Sequence, residues 1–184
     1  MLTSDELENL KNGEYFKKKL KIGSGAFGSV YSINDRYVVK KVSQSWITIF
    51  DMPVLNFKSH HTQFRNELIV TNLLSKQGIS PRVLYYSENR YWYYVMERLD
   101  ETLYSLIKNK RLTLHQIDKL EQIFLKLINT TYRHDDMHQK NIMWSEKLDD
   151  FRIIDWGLFS RSKKKKRLNN YDTKFIKYLK EKVV

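Results

Sequence analysis

Residues 134–141 read His-Asp-Asp-Met-His-Gln-Lys-Asn, and this stretch decides the fold. It follows a long amphipathic segment and precedes a short apolar run that ends at Asp155-Trp156-Gly157. Acids and an amide on short loops beside buried elements are suited to binding a hard cation, because such cations favour oxygen ligands. The alternative is a polar connection between a helix and a strand, but that does not account for the acid after the next apolar run.

A glycine-rich pattern, G-x-G-x-x-G-x-V, lies far upstream at residues 23–30. Glycines in a strand–turn–strand let backbone N–H groups approach phosphate oxygens, because no Cβ intervenes. For this motif taken alone, the alternative is a plain glycine-rich hairpin. A dinucleotide-binding βαβ unit would need a helix after the glycines, whereas residues 29–42 have the composition of strands.

Lys40 lies in an apolar strand, where alternation places it on the same face as Val38 and Val42, with Lys41 facing solvent. A buried ammonium needs a partner. Glu67 is the only acid on the apolar face of the helix predicted at 62–75, and a carboxylate there is costly unless it is paired. We therefore predict an ion pair between the two side chains. The alternative is that Lys40 extends to solvent and Glu67 lies at the edge of the stripe.

Periodicity and turn residues predict a β-rich first half and an α-rich second half. Capping boxes are predicted for Thr3 with Glu6 and for Thr113 with Gln116. Helices are predicted at residues 3–12, 62–75, 101–109, 113–132 and 171–180. Strands are predicted three times within 15–42 and once each at 82–86, 91–96, 142–144 and 151–154, with 43–60 as an insertion.

The composition of the chain limits the classes of protein to which it can belong. With 184 residues it forms one domain or two small lobes, and the absence of cysteine excludes disulfides and the common zinc sites. No apolar run reaches membrane-spanning length, and the polar start is no secretory signal, so we expect a cytoplasmic or nuclear protein. The net charge of +12 favours acidic partners such as substrate proteins, nucleic acid or anionic lipid.

Taken in this order, the motifs resemble those of protein kinases, over residues 15–160. The resemblance implies an α+β, two-lobed fold in a single domain. Its β-rich N-terminal lobe would span residues 1–96 and include the N-terminal helix. Its reduced, α-rich C-terminal lobe would span residues 97–184, with a hinge near residues 97–100.

The resemblance also implies ATP and Mg²⁺ as cofactors and assigns roles to residues. Asp136 would accept or orient the proton of the attacking hydroxyl, Asn141 and Asp155 would bind the metal, and His134 would anchor the loop. The implied catalytic residues are Asp136, Lys40 and Lys140. The implied nucleotide-binding residues are Ile22, Gly23, Gly25, Phe27, Gly28, Val30, Lys40, Glu67, Glu97 and Leu99. In this set Ile22 and Val30 would sandwich adenine, Phe27 would cap the loop, and Glu97 to Leu99 would form the hinge.

Three residues depart from the kinase pattern. Asp135 replaces the arginine that usually receives an activating phosphate, so we predict no activation by loop phosphorylation. Trp156 replaces the usual phenylalanine, and its bulk could stiffen the segment. His138 replaces a lysine found near the γ-phosphate in serine/threonine kinases, and Lys140 could supply that charge instead. The string H-x-D-x-H-x-x-N also resembles aminoglycoside and choline kinases.

No A-P-E-like motif follows Gly157, so the usual peptide-docking platform is missing and a partner could complete the C-terminal lobe. Short kinases of this kind look like those of large DNA viruses, which would place the protein in an infected cell or a virion, or like bacterial effectors. The small kinase of the tRNA-threonylcarbamoylation machinery looks similar too. The basic run at 161–167 is interpreted as a solvated loop. The alternatives are docking of an acidic substrate, nuclear localisation, and contact with nucleic acid or lipid.

We therefore expect a minimal serine/threonine kinase that transfers the γ-phosphate of ATP to a protein hydroxyl. A small-molecule kinase of the aminoglycoside or choline type is one alternative. The other is a kinase-like ATP-binding module or an ATPase that acts within a complex.

Overall fold

An antiparallel five-stranded sheet organises the first of two units into which the chain folds. The computed structural model describes residues 2–25, 28–42, 60–89, 91–161 and 170–183. The first unit comprises Met1–Ile69 and Arg82–Arg98, and the second comprises Val70–Pro81 and Leu99–Val184.

The first unit carries the β-rich part of the chain. Its strands pair in the order β1-β2-β3-β5-β4, and every pair is antiparallel. Its elements are α1 (Ser4–Asn12), two 3₁₀ turns (Glu14–Phe16 and Lys18–Leu20), β1 (Lys21–Gly25), β2 (Gly28–Ser32), β3 (Tyr37–Val42), the first residues of α2 (His60–Ser75), β4 (Val83–Ser87) and β5 (Tyr93–Glu97).

Alternation along β3 and β5 divides the apolar side chains between the two faces of this sheet. One face packs with α1 and buries Leu10, Tyr31, Tyr37, Val39, Tyr93 and Val95. The other packs with α2 and buries Val38, Val42, Phe64, Leu68, Tyr94 and Met96. The second face is the one that matters for the candidate site, because Lys40 and Glu67 also lie on it.

The predicted capping box of α1 is confirmed, since the Thr3 hydroxyl accepts from the Glu6 N–H and the Glu6 carboxylate accepts from the Thr3 N–H. Gly13 ends the helix with φ +79°, a left-handed conformation that favours glycine. The three strands predicted within residues 15–42 are confirmed as β1, β2 and β3, and they are preceded by the two 3₁₀ turns of residues 14–20. The aromatic side chain of Phe16 there packs edge-on against Tyr31 rather than extending a strand.

Lys41 does not simply face solvent as predicted. Its Nζ lies 4.8 Å from the ring centroid of Phe16 and 4.5 Å from that of Tyr91. Partial burial between these rings lowers the pKa of Lys41. Alternation correctly predicts the face on which Lys41 lies, but it does not reveal the aromatic pair that covers that face.

The second unit carries most of the helices. Apart from the end of α2, its elements are β6 (Glu101–Thr102), α3 (Leu103–Lys108), α4 (Leu114–Ile128), β7 (Tyr132–His134), β8 (Ile142–Ser145), β9 (Asp150–Ile153), β10 (Phe159–Arg161) and α5 (Asn170–Val183). β6, β8 and β9 form one small sheet, and β7 pairs with β10 in another.

Helix α4 is the centre of this unit's core. Its predicted capping box is confirmed, and Ile117, Leu120, Ile123 and Phe124 are buried. The predicted extension to residue 132 is wrong. Asn129 caps the helix, and the Thr130 hydroxyl accepts from the Tyr132 N–H at the start of β7.

The predicted helix over 101–109 is shorter than expected, because residues 101–102 pair with β8 as the edge strand β6. Among the described residues, no helix combines the length and apolar composition needed to cross a bilayer. The predicted insertion, apart from the first residue of α2, lies outside the described residues. So do Phe27 and all of the basic run after Arg161.

Candidate active site

The predicted ion pair between Lys40 and Glu67 is present in the first unit. Lys40 Nζ lies 2.5 Å from Glu67 Oε1, and the two residues are 6% and 2% exposed. The sheet supplies the lysine and α2 supplies the acid, as periodicity along each element predicts. Because a buried ion pair must offset a large desolvation cost, its presence here favours a role beyond stability.

Tyr94 belongs to the same group, although the sequence reasoning did not select it. Its hydroxyl donates to the same oxygen, Glu67 Oε1, at 2.9 Å. Lys40 and Tyr94 are direct partners in the β3–β5 register, so both side chains leave one face of the sheet towards α2. The signal that could have found Tyr94 is its even spacing from Met96 on a strand paired with β3.

The glycine-rich segment forms the β1–β2 hairpin. Gly23 pairs with Val30 and Gly25 pairs with Gly28. Gly28 is the position that sterics restrict, with φ +153° and a hypothetical Cβ only 2.3 Å from the carbonyl oxygen of Lys41. Ile22 is 52% exposed on β1. The hairpin is therefore formed as predicted, while its contact with a phosphate stays a prediction.

The residues predicted for the hinge lie at the end of β5 and just beyond it. Two hydrogen bonds join Glu97 to Arg82. The Glu97 N–H donates to the Arg82 carbonyl at 3.1 Å, and the Glu97 carboxylate accepts from the Arg82 N–H at 2.9 Å. The Glu97 side chain thus supports the backbone. Leu99 is buried in the second unit.

His134 anchors the loop that follows β7. Its Nε2 lies 2.9 Å from the carbonyl oxygen of Ile154, and its Nδ1 accepts from the Asp136 N–H at 3.2 Å. The two contacts define one tautomer, in which Nε2 carries the hydrogen and donates to the carbonyl. The ring also packs edge-on against Trp156, at 4.7 Å between centroids.

Asp136 and Asn141 are brought together at the two ends of a short turn. Asn141 Nδ2 donates to the Asp136 carbonyl at 3.0 Å and lies 3.4 Å from Asp136 Oδ2. The Asn141 carbonyl accepts from the Ile154 N–H, which fixes Asn141 beside the residue that precedes Asp155. Asn141 is 7% exposed, so the turn holds its amide rigidly.

His138 and Lys140 differ in how they relate to Asp136. His138 Nε2 lies 3.5 Å from Asp136 Oδ2, and His138 Nδ1 accepts from the Lys140 N–H at 3.2 Å. The Lys140 ammonium lies 5.2 Å from the ring centroid of Tyr104. Of these two side chains, the imidazole of His138 is therefore the one beside the Asp136 carboxylate, and a catalytic role for Lys140 stays a prediction.

Asp155 and Trp156 follow β9 directly. Asp155 has φ +61°, a left-handed conformation that costs a non-glycine residue about 1–3 kcal/mol and is often found at functional sites. Trp156 is fully buried, and its indole N–H donates to the Ile153 carbonyl at 3.1 Å. The indole therefore holds the turn that presents Asp155.

The chemistry of this donor set fits Mg²⁺. An amide oxygen from Asn141 and a carboxylate from Asp155 are hard oxygen ligands. Mg²⁺ in phosphotransferases takes one or two protein ligands and fills its remaining positions with water and phosphate oxygens. Within the described part of the chain, no cluster of three or more acidic, histidine or cysteine side chains would form a cage made of protein alone.

Asp135 lies where a phosphate-binding arginine would be expected, and it already has partners. It pairs with Arg133 and accepts from the Ser160 hydroxyl at 3.2 Å, while its N–H donates to the Leu158 carbonyl. These contacts join β7 to β10, the strand after Gly157. The Asp135 carboxylate therefore stabilises this strand, and activity without phosphorylation of the loop stays a prediction.

Replacing Trp156 with phenylalanine should test the indole hydrogen bond. The smaller ring keeps part of the apolar contact but leaves the Ile153 carbonyl without this donor. Beyond the cost of the smaller ring, we expect a loss of about 1 kcal/mol in the free energy of unfolding. Urea denaturation of both proteins measures the difference. Trp144→Phe is the matched control, because this indole is also buried in the second unit and its N–H has no hydrogen-bond partner among the described residues. An equal loss there would contradict the assignment.

Because His134 is buried, we predict that the free energy of unfolding depends on pH. Burial lowers the pKa of His134 below 6.5, although the Ile154 carbonyl and the charges of Asp155 and Asp136 act in the opposite direction. The unfolded chain therefore binds a proton more readily than the native one. Stability should be at its full value above about pH 6.5 and should fall as the pH drops towards the lowered native pKa.

Unfolding free energies measured from about pH 5 to about pH 8 check this expectation. His134→Phe keeps a ring against Trp156 but cannot titrate, so its stability should vary less over this interval. A variant with the same pH slope as the wild-type protein would contradict the assignment to His134.

Comparison with known proteins identifies the class to which this site belongs. The family described as the protein kinase domain matches residues 16–178. The chain therefore belongs to the protein kinase family, and its α+β architecture is that of a reduced kinase fold. It is also similar to the serine/threonine-protein kinase shk2 of Schizosaccharomyces pombe, with 28% identity over 159 residues. That alignment covers 80% of this chain and 26% of the relative, so the chain spans about a quarter of the relative's length.

Proposed function

We propose that this chain is an ATP- and Mg²⁺-dependent kinase that phosphorylates serine or threonine hydroxyls of proteins. The observation that carries the proposal is the buried pair of Lys40 and Glu67, at 2.5 Å. Such a pair adds little stability over well-packed apolar residues, so a function of the lysine is the simplest reason for keeping it. Family membership and the distant serine/threonine kinase relative support the same choice.

The proposal gives roles to groups in the first unit and, separately, to groups in the second. In the first unit, Lys40 donates to phosphate oxygens of ATP, and the backbone of the β1–β2 hairpin covers them. In the second unit, Asn141 and Asp155 would hold Mg²⁺, which would neutralise charge on the phosphates. Asp136 orients the acceptor hydroxyl and takes its proton as the oxygen attacks the γ-phosphorus and the bond to ADP breaks. Positioning and charge neutralisation then account for most of the catalysis.

The net charge of +12 favours an acidic protein as the substrate. Asp135 and its partners, Arg133 and Ser160, favour activity without prior phosphorylation of the segment after Gly157.

One observation favours a small-molecule kinase as a second candidate. His138, rather than the ammonium of Lys140, lies beside Asp136, and histidine at this position is what relates the loop to aminoglycoside and choline kinases. The acceptor therefore has to be determined by experiment.

Labelled ATP with Mg²⁺ should be supplied together with an acidic protein, a basic protein, choline or an aminoglycoside. Phosphoamino-acid analysis then identifies the modified hydroxyl. We expect phosphoserine or phosphothreonine, with the acidic protein preferred. Label on a small molecule would favour the second candidate. ATP hydrolysis without any labelled acceptor would overturn both.

A further inference from the structure

We propose that Tyr94 is a positioning residue for the phosphate-binding lysine. Its hydroxyl holds the Glu67 carboxylate in place, so that Lys40 can turn to the nucleotide without leaving a buried acid unsupported. This inference rests on the proposed function, because it assigns Lys40 to the phosphates of ATP. It adds a third residue to the Lys40–Glu67 pair.

Both donors converge on one oxygen atom. Lys40 Nζ lies 2.5 Å from Glu67 Oε1 and Tyr94 Oη lies 2.9 Å from it. Lys40 and Tyr94 are opposite each other in the β3–β5 register, so the sheet fixes the spacing of the two donors. Glu67 is 2% exposed, which leaves water little access to the carboxylate.

The Tyr94 hydroxyl matters because Lys40, the other donor to Glu67, also has to bind phosphate in the proposed function. A buried carboxylate that loses its cation incurs a large desolvation cost. When the Lys40 ammonium also donates hydrogen bonds to phosphate oxygens, its interaction with Glu67 weakens. The Tyr94 hydroxyl continues to donate to Glu67 Oε1, so the buried carboxylate keeps a hydrogen bond and its orientation. This lowers the free-energy cost of turning Lys40 towards the nucleotide.

Tyr94 is itself rigidly held. It is 1% exposed, and its ring lies 6.3 Å from that of Phe64 on α2, the helix that carries Glu67. Phe64 and Glu67 are three residues apart and lie on one side of the helix. Tyr94 is thus fixed both to β5 and to the helix, as a positioning residue should be.

Tyr94→Phe removes the hydroxyl and keeps the ring. We expect KM for ATP to rise about tenfold while kcat changes less than about threefold, because the hydroxyl affects how the nucleotide is held rather than the transfer itself. Tyr93→Phe is the matched control. Tyr93 is the neighbouring residue, equally buried at 1% exposure, but it lies on the sheet face that packs with α1. It should leave both constants unchanged.

A second measurement, without ligand, tests the contact itself. Tyr94→Phe should lower the melting temperature by about 4 °C in the wild-type background. In a Glu67→Met background the same change should lower it by less than about 1 °C, because the acceptor is already gone. A purely structural role for the Tyr94 ring would give equal shifts in both backgrounds.

Equal melting shifts, or an unchanged KM in an active Tyr94→Phe variant, would overturn this inference and leave the proposed function intact. A wild-type chain that neither binds ATP nor transfers phosphate would overturn the proposed function, and the inference with it. The first result is seen in the variants and the second in the wild-type protein, so the two failures can be told apart.

Discussion

Replacing Asp136 with asparagine is expected to lower kcat for phosphate transfer by a factor of about 10²–10⁴, the usual contribution of a positioned acid or base. Asparagine has nearly the same shape and retains an oxygen for the Asn141 amide, but it cannot take the proton of the acceptor hydroxyl. The side chain of Asp136 is 47% exposed, so the free energy of unfolding should change by less than about 0.5 kcal/mol. Turnover and urea denaturation, measured on the same preparations, separate the two effects.

Asp149→Asn is the matched control for this variant. Asp149 is an exposed acid of the same unit, paired with His115 and Lys119 in the turn between β8 and β9. The control should retain full activity. An Asp136→Asn variant with more than about a tenth of the wild-type kcat would contradict the role assigned to Asp136.

The largest change in stability is expected from breaking the buried ion pair on one side only. Glu67→Leu removes the carboxylate that pairs with the buried Lys40 ammonium, which should cost about 3–5 kcal/mol of unfolding free energy. Replacing all three polar groups, in the triple variant Lys40→Met, Glu67→Leu and Tyr94→Phe, should restore stability to the wild-type value or above it. That triple variant should nevertheless transfer no phosphate. Denaturation curves and transfer assays of the single and triple variants measure both properties.

Glu88→Leu is the control for this comparison, because it breaks the exposed pair between Arg65 and Glu88 on the same unit. Exposed pairs contribute about 0–1 kcal/mol, so the control should stay close to wild type. A triple variant that is as unstable as Glu67→Leu would show that the three polar groups are kept for stability, and would contradict the functional interpretation.

Much of the first unit could be predicted from sequence, because the face on which each side chain lies depends on residues close to it along the chain. Alternation places Lys40 on the face with Val38 and Val42, and helical periodicity places Glu67 on the apolar side of α2. These two faces pack against each other, so the buried lysine and the acid come together. The capping boxes of α1 and α4 could also be predicted, since each depends on residues three apart.

Other features depend on contacts that no local pattern encodes. Tyr94 joins Glu67 only because β5 pairs with β3 in one register, and one step of slippage would turn its side chain to the other face. The strands β6, β7 and β10 have two or three residues each, too few for a period to appear. The tautomer of His134 likewise depends on the Ile154 carbonyl, twenty residues away along the chain.

Transfer of the labelled γ-phosphate of ATP to protein, in the presence of Mg²⁺, is the measurement we would make to decide whether this member of the kinase family is a working enzyme. Wild type should be compared with Asp136→Ala and Asp155→Ala, each checked for folding and for ATP binding. The account predicts labelled protein with the wild-type chain and loss of the label with both variants. ATP binding by the wild-type chain, without label above that of the variants on any acceptor offered, would contradict it.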